Sequence, residues 1–372
     1  MPSMTRRRLL RTGVAAAVGS VWPHATVAES TAGLRTLVPS AKVRLGAQAT
    51  YTDLQNAAYA SFIASNFNTL TAGLEMKWSA LRPSPTTFDF KRADWMVAFA
   101  ERHNMSFRGH NLCWNHWLPA WVARTVNAAN VERVLTDHIT TVAGRYRGRI
   151  DSWDVVNEPL GTWNSPVTGQ PPRPWLDLLG SRYLDIAFHA TAAADPAALR
   201  VLNFDRLEQT ITANQDDRRN ALSLIQGLVQ RKVPIQAVGF ESHLLAWDNI
   251  ENPSQDRLIQ SIRDLGLKIL ITELDVNDTR IAGPIATRDQ TVASIYFDYI
   301  TRMVPRMGCD QIVFWTPWDG SDWLDDCHGR DYDRLDGAPH RPGLIDTALR
   351  TKPAYESVAQ ALRQLYPDRA GR

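Results

Sequence analysis

Eight short apolar runs rich in β-branched residues recur along the chain, near 43–48, 67–71, 106–112, 150–157, 200–204, 235–240, 267–273 and 311–316. Between them lie stretches with helical amphipathic spacing, such as 93–102, 130–146, 181–194 and 289–304. Continuous apolar runs are the mark of strands buried on both faces, and their alternation with helices predicts parallel β/α units. Eight such units predict a closed (β/α)8 barrel, an α/β fold of the TIM type. A doubly wound open sheet is the competing layout, but no Gly-x-Gly-x-x-Gly follows the first run, and eight units suit closure. At 372 residues the chain exceeds a minimal barrel without needing a second domain.

In such a barrel the loops after the strands build one mouth, where binding and catalysis are expected. Polar residues gather there. His110 and Trp114 follow the third run, Asn157 and Glu158 close the fourth, and Glu241 and His243 follow the sixth. Glu273 and Asp275 close the seventh, and Trp315 and Trp323 flank the end of the eighth. The segment 159–174 reads as a long loop over this mouth. Two carboxylates on separate walls suit the hydrolysis of a glycosidic bond, which needs one group to protonate the leaving oxygen and another to support the developing cation. Glu158 is expected to be the acid/base, with a raised pKa, and Glu273 the nucleophile, kept ionised. Two residues apart on a strand, Glu273 and Asp275 should face the same side, with His243 beside both. The chain has 13 tryptophans. Trp315 and Trp323, at a strand-end loop, are the better candidates for stacking on sugar rings, whereas Trp95, inside a helical stretch, is expected in the core.

The formal net charge is +2, but residues 1–28 hold Arg6, Arg7, Arg8 and Arg11 and no acid, and +2 less those four leaves −2. The remainder has no basic excess to suggest nucleic acid. Thr5 to Arg11 looks like a twin-arginine pattern, and the apolar run 14–22 after it is too short to span a bilayer. The expectation is an export signal over 1–28, ending at Ala28, and a periplasmic or secreted barrel over 29–372, without a membrane anchor and monomeric. The cysteines are Cys113, Cys309 and Cys327, and the last two should sit at opposite ends of one strand, too far apart for a bridge. Their spacing does not suggest zinc.

The motifs together resemble the glycoside hydrolase family 10 endo-β-1,4-xylanases over nearly all of 29–372. Met76-Lys77-Trp78, Arg108-Gly109-His110, Trp114 with Leu118-Pro119 and Trp153 to Glu158 match in order, followed by Ser242-His243-Leu244 and Thr272-Glu273-Leu274-Asp275. Trp315 with Asp319 and Trp323, and Lys352-Pro353-Ala354-Tyr355, complete the set. Asn157-Glu158-Pro159 alone marks only the wider clan. The resemblance implies a retaining mechanism through a covalent glycosyl-enzyme, with Glu158 as acid/base and Glu273 as nucleophile. It implies that Lys77, His110, Trp114, Asn157, His243, Trp315 and Trp323 line the cleft, that Asp275 supports His243, and that a polysaccharide or oligosaccharide is the partner. No cofactor and no metal is implied.

Several positions depart from the family pattern. Gly73 and Leu74 stand where the family usually has Glu and Asn, residues that bind the sugar two places to the non-reducing side of the cut. Losing both should weaken or redirect binding there. Trp117 occupies a position where the family usually has Gln, and two readings are open: it fills the space left by Gly73, or it packs under its loop. Glu241 replaces a Gln that usually lies close to the nucleophile. A third carboxylate there should repel Glu273, so Glu241 is expected to hold a proton and donate a hydrogen bond. The leading reading is an endo-β-1,4-xylanase. A second keeps the chemistry on a decorated xylan or another β-glycan. A third, from another class, is a catalytically silent glycan-binding protein, against which the retention of Glu158, Glu273, Asn157 and His243 argues.

Overall fold

A computed structural model describes residues 33–160, 173–210, 214–250, 252–327, 329 and 331–367. The proposed export signal and most of the segment 159–174 lie outside the described residues. The strands are β1 (Arg44–Ala49), β2 (Thr69–Ala72), β3 (Ser106–Cys113), β4 (Ser152–Asn157), β5 (Leu199–Phe204), β6 (Ala237–Phe240), β7 (His243–Leu245), β8 (Lys268–Asn277) and β9 (Gln311–Phe314). Each of β1 to β5 pairs in parallel with the next; β6 pairs with β8, β8 with β9, and β9 returns to β1. That circuit is a closed eight-stranded parallel barrel, the (β/α)8 fold.

The ninth strand is a finding that the apolar pattern does not announce. β6 and β7 lie along the same edge of β8, with Phe240 opposite Ile271 and His243 opposite Asp275. Between them Ser242 takes φ +64° and breaks the strand. The break still bonds to β8: Glu273 N–H donates to the Glu241 carbonyl at 2.9 Å and Asp275 N–H to that of Ser242 at 3.4 Å. β8 also runs to Asn277, two residues past Asp275, so Glu273 and Asp275 lie inside the strand rather than at its end.

Helices Lys91–Arg102, Val131–Arg145, Arg182–Ala194 and Ile285–Met307 cover the amphipathic stretches to within a few residues. Their ends follow local chemistry. Asn56 caps the helix Ala57–Asn66 by accepting the N–H groups of Ala58 and Tyr59. Gly308, left-handed at φ +60°, ends the long helix Ile285–Met307. Trp153 on β4 is fully buried and donates from Nε1 to Asp195 at 3.1 Å. Truncating such a side chain costs about 3–5 kcal/mol, so it anchors the strand that leads into Glu158. Trp95 is partly buried, in edge contact with Tyr51 and stacked on Phe99. Cys113, Cys309 and Cys327 are free thiols. Among the described residues, no helix is long and apolar enough to cross a membrane.

Candidate active site

The carboxyl ends of the strands open into one cleft of about 760 Å³. Lys77, His110, Trp114, Asn157, Glu158, Glu241, His243, Glu273, Trp315 and Trp323 all line it. Asp275 does not reach the cleft; it stands fully buried behind His243.

Glu158 follows directly on β4 with φ +49°, a conformation that costs a non-glycine residue energy and is concentrated at functional sites. Its backbone N–H is held by the Asn203 carbonyl at 2.9 Å, and Asn157 Nδ2 donates to its Oε1 at 3.2 Å. Burial pushes the Glu158 carboxyl well above the usual range, and the negative charges of Asp205 and Glu273 push it further. Glu273 goes the other way. Burial alone would raise it, but His110, His243 and Lys77 together hold it below the usual range. His110 Nδ1 lies 3.8 Å and His243 Nε2 3.6 Å from its two oxygens. The two buried carboxyls of this cleft are thus shifted in opposite directions.

The histidines are fixed from behind. His110 Nδ1 lies 2.9 Å from Asp154, which also pairs with the buried Arg108. His243 Nδ1 lies 2.8 Å from Asp275, and Asp275 also accepts from Trp323 Nε1 at 2.6 Å and Thr316 Oγ1 at 3.1 Å. Burial opposes the charged form of His243, but Asp275 and Glu273 outweigh it and raise its pKa well above that of an ordinary histidine. His110, Asp154 and Glu273, and separately Glu241, His243 and Glu273, bring potential metal-ligating atoms within 4.8 Å of one another. Metal binding by the second group would have to displace the proton that Asp275 and Glu273 favour on His243.

Asn203, near the mouth end of β5, is the member that sequence reasoning missed. Its Nδ2 lies 2.8 Å from Asn157 Oδ1, 2.9 Å from Glu273 Oε1 and 3.0 Å from Glu241 Oε1, while its Oδ1 accepts from Thr272 at 2.7 Å. Two amide hydrogens serve three acceptors. The signal was available: a buried Asn in the run Val201-Leu202-Asn203-Phe204, at the mouth end of a strand. Gly239 on β6 makes the room, since a Cβ there would lie 2.1 Å from Asn203 Oδ1.

Glu241 is buried beside this amide, its Oε2 3.8 Å from His243 Nε2. Burial, then Glu273 and Glu158, raise its pKa well above the usual range, in line with the expected proton. Lys77, also buried, is pulled down by burial and partly restored by Glu273, Glu158 and Glu241. Its Nζ lies 4.9 Å from the ring centres of both Trp114 and Trp117. Trp117 is 53% exposed and does not fill the space over Gly73; Gln48 does, because a Cβ on Gly73 would fall 1.8 Å from Gln48 Nε2.

The sequence profile described as "Glycosyl hydrolase family 10" matches residues 33–361. The chain belongs to glycosyl hydrolase family 10. A family relative, "Endo-1,4-beta-xylanase C" of Phanerodontia chrysosporium, is 30% identical over 300 residues, covering 79% of this chain and 71% of that protein. Among solved family structures, native xylanase 10B from Thermotoga maritima is similar at a TM-score of 0.78 and 27% identity, over 90% of this chain and 99% of that one. Xylanase 10B from Thermotoga petrophila RKU-1 in complex with xylobiose is similar at a TM-score of 0.77 and 27% identity, over 90% and 98%.

Proposed function

We propose that the protein is a retaining endo-β-1,4-xylanase in which Glu273 is the nucleophile and Glu158 the acid/base. The observation that carries this reading is the placing of two buried carboxyls in one cleft in opposed surroundings, with His110 and His243 against Glu273, which is shifted down, while Glu158 is shifted up. In the first step a Glu273 oxygen attacks the anomeric carbon. The bond from that carbon to the leaving oxygen breaks, and the leaving oxygen takes the proton of Glu158. In the second step Glu158, now a carboxylate, takes a proton from water. The water oxygen bonds to the anomeric carbon, and Glu273 leaves with its electron pair. His110, His243 and Lys77 favour the charged form of Glu273 before attack. Asp275 orients His243 through Nδ1. Trp114, Trp315, Trp323 and Asn157 line the path of the sugar chain. The names of the family relatives supply the substrate class.

The test is a panel of xylan, linear xylo-oligosaccharides, β-glucans and aryl glycosides, with cut sites mapped and the anomer of the first product recorded. Internal cleavage of xylan with retained configuration, abolished by Glu273→Ala, is the expected result. Inversion, or no product from xylan or xylo-oligosaccharides, overturns it. The same panel examines a second reading, a decorated xylan or another β-glycan, which Gly73 and the exposed Leu74 and Trp117 at the rim favour.

The twin-arginine pattern of Thr5 to Arg11 supports export of the protein to the periplasm or beyond. Replacing Arg6 and Arg7 with Lys should retain the activity in the cytoplasm; unchanged export refutes the signal.

A further inference from the structure

The wall formed by β1 and the turn after β2 holds an amide that the chemistry above does not use. Gln48, half-buried near the end of β1, lines the same cleft as Glu158 and Glu273. Its side chain makes no hydrogen bond with another described residue. The other polar groups of this wall are committed. Thr50 Oγ1 donates to Asp53 at 2.7 Å, and the Glu75 carboxylate turns away to accept the backbone N–H groups of Tyr51 and Leu74 at 2.8 and 3.3 Å.

Backbone geometry holds the amide there. Gly73 continues the β1–β2 ladder, donating its N–H to the Ala49 carbonyl at 3.1 Å. A Cβ on Gly73 would lie 1.8 Å from Gln48 Nε2 and 2.9 Å from its Cδ, so a residue with a side chain at 73 excludes Gln48 from its present position. Around the barrel β1 is two strands from β8, a lateral step of roughly 10 Å. Gln48 is therefore displaced from the sugar attacked by Glu273 and within reach of a neighbouring unit.

We propose that Gln48 is a substrate-binding residue that sets specificity for a sugar adjacent to the one cleaved, and that Gly73 admits it. This rests on the glycosidase reading above. An amide donates and accepts, so it pairs with a neutral sugar hydroxyl in either sense and with a ring oxygen, which a carboxylate cannot do.

The experiment compares kcat/KM for a linear tetrasaccharide with that for an aryl glycoside of a single sugar, in both the xylo and the gluco series. The ratio of the two values is the readout, because only the longer substrate reaches Gln48. Gln48→Ala should lower the ratio about five- to tenfold, the worth of one hydrogen bond to a neutral partner. Gly73→Ala should lower it equally. Its Cβ meets the free end of a flexible side chain, which swings aside without unfolding the barrel. The double variant should lose no more than either single one, since both remove the same contact. A ratio unchanged in Gln48→Ala, or losses that multiply in the double variant, overturns the proposal. If only the gluco series is cleaved, the xylan reading fails, while the ratio in that series still decides the role of Gln48.

Discussion

Two amides in the cleft are built the same way and used differently. Asn203 on β5 occupies room left by Gly239 on the next strand, and Gln48 on β1 occupies room left by Gly73 after the next strand. Asn203 is locked to Asn157, Glu241, Glu273 and Thr272. Gln48 has no such bonds. The difference separates two tasks. Groups that hold reacting carboxylates gain from being fixed before substrate arrives, because nothing then reorganises during the reaction. A group that recognises a sugar must keep its bonding capacity for the sugar.

The largest effects should come from the locked side. Glu273→Ala should lower kcat by about 10⁴-fold or more, and Glu158→Ala by about 10²–10⁴-fold, measured on xylo-oligosaccharides. Residual rates within tenfold of wild type would remove these residues from the chemistry. Asn203→Ala removes a bond to the ionised Glu273 and leaves Asn157 Oδ1 short of a donor, while the Thr272 hydroxyl keeps the Phe240 carbonyl at 3.1 Å. A hydrogen bond to a charged group is worth about 1.5–3 kcal/mol, so kcat should fall roughly 10- to 100-fold with KM little changed. The thermal midpoint should fall as well. If Asn203→Ala instead raises KM and leaves kcat alone, the two amides are not different in kind.

The comparison also marks what the sequence made legible. Eight strands could be read because buried parallel strands are continuous apolar runs, and the glutamates because they close two of them. The break that separates β6 from β7 was hidden, since it depends on the backbone of Ser242 rather than on an apolar period. Trp117 was one candidate for the space over Gly73 because both were unusual, and β1 and β3 both flank β2, so strand order alone leaves either side open; the β1 side chain Gln48 takes the space. Gln48 precedes Gly73 by 25 positions and comes against it only once the ladder is formed. Asn203 could have been suspected as a polar residue inside an apolar run; its four partners come from three other strands or their ends, which spacing does not reveal.

Ionisation sharpens the picture on the locked side. Glu273, held low, stays charged down to a lower pH than an ordinary carboxylate, and activity is lost below its pKa as it takes up a proton. Glu158, held high, keeps its proton to a higher pH, and activity is lost above its pKa. The profile of kcat/KM against pH should therefore be bell-shaped. The charges of Glu273 and Glu158 raise Glu241, so Glu241 keeps its proton while both of them ionise. Glu241→Gln puts a neutral amide there and should leave both limbs in place. A limb displaced by about one pH unit would mean that Glu241 is charged within the working range and repels its neighbours.

The smallest effect should come from Trp117, on the open wall. It is 53% exposed, and its ring contacts Lys77 Nζ at 4.9 Å, a distance shared with Trp114 on the other side. An exposed cation–π contact is worth about 0.5–1 kcal/mol, and Trp114 remains to cover Lys77 when Trp117 is removed. Lys77 therefore keeps one aromatic partner and its position near the carboxylates. Trp117→Ala should lower kcat/KM on a tetrasaccharide by about fivefold at most, through KM, with the pH profile and thermal midpoint unchanged. A loss of kcat would mean that Trp117 helps set the charge of Lys77 and, through it, Glu273. The open wall would then share in the chemistry, and the division drawn between Asn203 and Gln48 would not extend along the whole cleft.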